Sequence, residues 1–153
     1  MKKSILILGI LLIAGLLLSG SVSAASVIDK GSKTVYGKYT VGHNDARLYQ
    51  STPKSVCKWT TYKYSNYNVK MVFNKDRYKY YEGNFVYSST SKYTVYIKKA
   101  SSSKVKVTQY KWSSATGKTT KYTGYWKIRG GNAVNFYKSS TFKTNYLNMY
   151  IQY

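Results

Sequence analysis

The sequence predicts an all-β protein: a single antiparallel β-sandwich or barrel-like domain of about eight to nine short strands, behind a cleaved signal peptide. Three observations carry that expectation. Apolar and polar residues alternate with period two in one run after another. Polar turn signals separate the runs at roughly 10–13-residue spacing. No stretch beyond residue 24 reads as a convincing amphipathic helix.

The first element is an address label. Met1-Lys2-Lys3 is a short positive lead, Ile5–Leu18 is apolar apart from small residues, and Val22-Ser23-Ala24 is a small-residue exit. This pattern fits a secretory leader cut near Ala24 or Ala25, with residues 25–153 as one β-domain released to the cell exterior or held at its surface. After a polar lead-in, Thr34–Val41 reads as an edge strand. Gly42–Lys54 holds the single histidine, His43, and the single proline, Pro53, and reads as a loop with room for a helical turn around Asp45–Tyr49. Cys57–Tyr64 and Tyr67–Phe73 are the next strands, joined at Ser65-Asn66. Asn74-Lys75-Asp76 is expected to turn the chain into Tyr78–Tyr81, and Glu82-Gly83-Asn84 into Phe85–Tyr87.

Tyr93–Arg129 is the clearest part of the pattern, a three-run β-meander. Tyr93, Val95 and Ile97 share one face, and Tyr122, Gly124, Trp126 and Ile128 share another. In the middle run Val105 and Val107 are in phase but Tyr110 and Trp112 are not. The expectation is a bulge near Thr108–Gln109, with a strand buried on both faces as the other reading. Arg129-Gly130-Gly131-Asn132 is a strong hairpin signal. Ala133–Lys138 and Tyr146–Tyr153 read as closing strands, the latter with Leu147, Met149, Ile151 and Tyr153 on one face.

Composition narrows the chemistry. Lysine and arginine total 25 against four carboxylates, a net charge of +21. Loss of Lys2 and Lys3 with the leader leaves the domain strongly cationic. The arginines are Arg47, Arg77 and Arg129, and every other cation is a lysine, a hydrated point charge rather than a fork for one phosphate geometry. Such a field draws polyanions in general: anionic or glycan-rich envelope polymers, with anionic membrane surfaces as a further partner class. The bland reading is that charge keeps a tyrosine-rich sheet soluble. No physiological nucleic-acid partner is expected, since no recognition motif accompanies the charge. Asp29, Asp45, Asp76 and Glu82 are too few to suggest a glycosidase pair. One histidine and one cysteine suggest no metal site, and no cofactor is implied. The one nucleophilic option is Cys57 with His43, oriented by Asn44 or Asp45. Against it, Val56-Cys57-Lys58-Trp59 reads as ordinary strand with a buried thiol. A non-enzymatic protein is expected, a monomer or weak homo-oligomer without an intrachain disulfide.

The remaining signal is the tyrosines, 19 of them, many alternating with lysine. They provide either a flat contact platform or cross-strand pairs that merely stabilise a sheet. The residues expected to form a binding face are Tyr96, Tyr110, Trp112, Tyr125 and Lys127. Finally, Tyr64-Ser65-Asn66-Tyr67 resembles a tetrapeptide of the small secreted lactococcin-type β-sandwich bacteriocins. Over those four residues the resemblance implies an alternative function, a cationic toxin acting on a competitor's envelope, and implies no site residues.

Overall fold

The computed structural model describes residues 24–38, 40–44 and 47–153. The expected leader, except for its last residue, lies outside the described residues. For 40–44 and 47–51 only backbone pairing is described.

Strand formation follows the alternating pattern closely. β1 (Ser26–Tyr36), β4 (Lys54–Ser65), β5 (Asn68–Tyr81), β6 (Asn84–Ser101), β7 (Lys104–Ser113) and β8 (Lys118–Lys127) form one antiparallel sheet in the order β1-β4-β5-β6-β7-β8. From β4 onward this is a simple meander. Between β1 and β4, β2 (Thr40–Asn44) and β3 (Arg47–Ser51) pair with each other as a separate hairpin. Strand therefore occupies 47–51, where a helical turn was expected.

Period two sorts each strand into two faces. Val69, Met71 and Phe73 of β5, Tyr93, Val95 and Ile97 of β6, and Val105 and Val107 of β7 are buried on one side. What covers them is not a second sheet. After β8 a single 3-10 turn, Arg129–Gly131, leads into α1 (Ala133–Lys138). A second helix, α2, begins as Ser140–Phe142, widens into a π-turn over Lys143–Leu147 and ends as Asn148–Ile151. The expected sandwich or barrel is thus corrected to one open six-stranded sheet with helices on one face. The mostly-β character holds.

The closing strands were misread for a physical reason. Phe142, Tyr146 and Tyr150 recur every fourth residue and all three are buried, which is the period of a helix face. Leu147, Met149, Ile151 and Tyr153 mimic a strand, yet Met149 and Tyr153 are exposed. The start signals are real: the Asn132 side chain accepts from Asn135 N at 3.0 Å, and Ser139 Oγ from Phe142 N at 3.2 Å. At the expected hairpin, Gly130 and Gly131 do take positive φ (69° and 62°), but they swing the chain off the sheet edge rather than back along it. A Cβ on Gly131 would sit 2.3 Å from the Ser101 carbonyl oxygen.

Two more expectations fail. β6–β7 and β7–β8 register is unbroken through Thr108–Gln109, so no bulge lies there, and Tyr110 and Trp112 simply face away from Val105 and Val107. Nor does the chain turn at Asn74–Asp76, because β5 runs straight through it. The turn residues are overridden there by continuous pairing with both neighbours.

Aromatic stacking joins the two layers. Tyr150 lies on Tyr93 with ring centroids 4.2 Å apart and beside Phe73 at 5.4 Å. Trp126 stacks on Phe136 and donates from Nε1 to Tyr146 Oη at 2.8 Å. Near β1, Tyr137 donates to Asp29 Oδ2 at 2.5 Å and accepts from Thr61 Oγ1 at 2.7 Å, while Trp59 Nε1 donates to the same carboxylate at 3.1 Å. The Trp59 indole lies directly over Gly31, where an added Cβ would be 2.1 Å from the ring. At the far end, the buried Lys75 ammonium donates to the Gln152 carbonyl and the Cys57 thiol faces the Tyr150 carbonyl at 4.0 Å. The Tyr64–Tyr67 tetrapeptide has a local task. It makes the β4–β5 turn, and the Asn66 carbonyl accepts from Ala133 N at 2.8 Å and Val134 N at 3.3 Å at the start of α1.

Two outcomes follow for stability. Gly31→Ala must push the Trp59 indole off its seat and stretch its bond to Asp29. It should lower unfolding free energy by about 1–3 kcal/mol, read as a lower urea midpoint at unchanged slope. Burial pushes the Tyr137 and Tyr150 hydroxyls above the ordinary tyrosine range, with the Asp29 hydrogen bond reinforcing Tyr137. The unfolded chain ionises these phenols near the ordinary tyrosine value of 10.0, so stability is intact below that pH and falls above it. Each adds a loss of about 1.4 kcal/mol per pH unit. Lys75 is lowered by burial first and Arg77 second, so its cost to folding disappears as pH rises to 10.5, which opposes the tyrosines only below that point. A phenolate absorbance titration should therefore show a group of tyrosines that ionises only together with unfolding.

Candidate functional site

The candidate site is the uncovered face of the sheet, and the register places side chains on it. Across β5 to β8 the rows read Asn74–Lys92–Trp112–Thr119, Val72–Thr94–Tyr110–Lys121, Lys70–Tyr96–Thr108–Thr123 and Asn68–Lys98–Lys106–Tyr125, with Lys104–Lys127 at the end. All five residues singled out in the sequence, Tyr96, Tyr110, Trp112, Tyr125 and Lys127, therefore share this face. Tyr96 and Tyr110 meet edge-to-face at 6.2 Å and line a shallow depression of about 750 Å³ with Thr94, Thr108, Lys98 and Lys121. Trp112 is one row along. Tyr125 stands opposite Lys106 in another row, and Lys127 is at the sheet's end, so the structure groups the five loosely rather than as one contact cluster.

Charge is the stronger organiser. Lysine reaches this face from β1 (Lys30), β4 (Lys54, Lys58), β5 (Lys70), β6 (Lys92, Lys98), β7 (Lys104, Lys106) and β8 (Lys121, Lys127). Of the carboxylates in the six strands, Asp29 points to the helices, and Asp76 on the open face is engaged by Thr90 Oγ1 at 2.5 Å. The field is nearly uncompensated. Many ammonium groups rest on rings: Lys70 and Lys98 over Tyr96 at 5.6 and 5.8 Å, Lys121 over Tyr110 at 5.8 Å, and Lys92 over Trp112 at 5.5 Å. Such contacts are weak at exposed sites, on the order of 0.5–1 kcal/mol, so an anionic ligand can draw the ammonium away and free the ring for stacking. A second depression of about 720 Å³ lies over β1, β4 and β5, lined by Lys30, Lys58, Thr60, Tyr62 and Asn74 among others. Sequence reading missed this half of the face, although its lysines occupy the same alternate positions.

The nucleophile option fares differently. Cys57 is on the covered face, with none of its surface exposed. Burial pushes its thiol pKa up, and the nearby Lys75 and Arg77 offset that only in part, so it is not a poised thiolate. The His43 side chain lies outside the described residues. Among those described, no three His, Cys, Asp or Glu side chains gather as a metal cluster, and no helix is long and apolar enough to cross a membrane.

No protein-family model, curated protein or solved structure matches this chain.

Because the open face is decoupled from the core, its substitution should cost little stability. Tyr110→Ser and Lys121→Ser should each shift unfolding free energy by no more than about 1 kcal/mol, the range of a cross-strand pair. A loss of cooperative unfolding in either would mean that this face is structural.

Proposed function

We propose that this chain is a secreted, non-enzymatic domain that binds anionic or glycan-rich envelope polymers on the open sheet face. Lysine charge draws the polymer in, and Tyr96, Tyr110, Trp112 and Tyr125 supply flat contact area. The supporting observation is the asymmetry of the sheet. One face has its apolar centre packed under aromatic helices, while the other carries lysine from all six strands and a single carboxylate already engaged by a threonine. A lysine lawn holds charge without demanding one phosphate geometry, which suits a repetitive polymer better than a small molecule. The depressions are shallow and open, as a chain ligand lying across strands requires.

The test is co-sedimentation of residues 25–153 with purified cell-wall material at low and high salt. Binding should fall steeply as the screening length shrinks from about 10 Å at 0.1 M to about 3 Å at 1 M. The double variant Tyr96→Ser/Tyr125→Ser should weaken whatever binding survives at high salt. Absence of sedimentation at either salt overturns the reading.

A further inference from the structure

The β5–β6 hairpin outruns the rest of the sheet. β4 pairs with β5 no further than Tyr78, and β7 pairs with β6 no further than Ser91. Beyond Tyr78 the hairpin is paired, among the described residues, only within itself, Lys79–Tyr81 against Asn84–Val86, closed by Glu82 and Gly83 at positive φ (46° and 83°). Three rows at about 3.3 Å each carry the tip roughly 10 Å past its neighbours. A projecting two-stranded tip is the least stable place in a sheet to leave apolar side chains, yet this one is covered with them. Tyr81 is 60 % exposed, Tyr87 54 %, Val86 50 % and Phe85 39 %.

The residues occupy both sides of the ribbon. Tyr80 with Phe85 and Tyr78 with Tyr87 are cross-strand pairs on the side continuous with the open face, edge-to-face at 5.2 and 6.1 Å. Val86 and Tyr81 are on the opposite side, Val86 paired with Lys79. A groove on a protein partner would read one side of the ribbon and leave the other wet. A surrounding medium covers both. A cation stands at the base: the Lys54 ammonium sits over the Phe85 ring at 3.9 Å and the Tyr78 ring at 5.5 Å. A tyrosine-rich tip with Lys54 at its base and Lys79 in its strand matches the chemistry of the lipid–water interface, where amphipathic rings settle at headgroup depth and lysines meet anionic headgroups.

We propose that the β5–β6 tip, projecting from the end of the open face, is a shallow anchor for anionic lipid bilayers. Two features limit its depth. Among the described residues the outer backbone edges of the two-stranded tip have no pairing partners, so they must remain where water or headgroups can satisfy them. Glu82 at the apex brings a carboxylate to the surface first, so it opposes both the anionic field and burial. Binding is therefore interfacial, within about 5–10 Å of the headgroup boundary.

Every element described above lies within 26–153, so the test uses residues 25–153, free of the apolar leader. Sedimentation with phosphatidylglycerol-containing vesicles is compared with vesicles of phosphatidylcholine alone. The protein should bind the former and not the latter. Phe85→Ser/Val86→Ser should bind at least about ten-fold more weakly, the scale expected from lost apolar burial, while sedimentation with cell-wall material stays unchanged. Glu82→Gln should bind vesicles more tightly than the parent. A Phe85→Trp reporter should blue-shift on binding and be quenched by lipids brominated near the headgroup end of the acyl chain. Both serine substitutions are at exposed positions, and an unchanged urea midpoint checks that the fold is kept. No vesicle binding, or binding equal in parent and Phe85→Ser/Val86→Ser, overturns the proposal. The second outcome would mean lysine adsorption by the sheet face alone.

Discussion

A six-stranded sheet has two faces to satisfy, and this chain supplies apolar residues for one. Val69, Met71, Phe73, Tyr93, Val95, Ile97, Val105 and Val107 all point the same way, and they stay dry only because Phe136, Phe142, Tyr146 and Tyr150 lie on them. The rest of the molecule depends on that contact. Without α1 and α2 the sheet would present a broad apolar surface, which in water means aggregation. The helices are short and rich in asparagine, serine and threonine, poor formers in isolation. They exist because the sheet face gives their rings something to stack on. Polar anchors then fix the position: Tyr137 and Trp59 on Asp29, Trp126 on Tyr146, Asn66 under the start of α1.

The open face follows a different logic. It has neither deep pocket nor catalytic cluster among the described residues, and its order comes from register rather than from buried contacts. Rows of threonine, tyrosine and lysine repeat across strands, so neighbouring positions offer similar chemistry at intervals of about 4.8 Å across and 6.6 Å along the sheet. A surface of that kind discriminates poorly among small molecules and well among extended ones, because many weak contacts must be made at once. Resting lysines on rings also keeps the aromatic surface from presenting a bare apolar patch in the absence of ligand.

Much of this was legible in the sequence. Residue parity alone assigns Tyr96 against Val95 and Tyr125 against Trp126, and it places the five expected site residues on one face once the strands are regular. What parity could not supply was continuity. The asparagine and aspartate around Lys75 look like a turn, but strong pairing on both sides carries β5 through; the bulge expected near Thr108–Gln109 rests instead on the phase of Tyr110 and Trp112, which belong to the open face of an unbroken strand. The C-terminal helices were hidden because aromatic residues at every fourth place coincide with an alternating set from Leu147 to Tyr153, and the second set was read. The separation of Asp29 from Asp76 onto opposite faces is in the sequence as odd and even numbers, but its meaning appears only when one face is seen to be covered. The projecting tip was least legible, since strand lengths relative to neighbours are a property of the whole sheet.

The position of α1 and α2 at the end of the sequence has a consequence for the order in which the molecule can be completed. A chain delivered from its N-terminus, as every nascent chain is, can pair β4 to β8 before the residues that seal the sheet have emerged. During that interval the apolar face is open on a sheet that is otherwise formed. The lysines on the opposite face give each such sheet a like charge, and like-charged sheets repel when they approach. In the finished fold that face is closed by Tyr150 on Tyr93 and by the buried Lys75 on the Gln152 carbonyl. The lysines that we propose for polymer binding thus also set a like charge between any two such sheets, which opposes their approach.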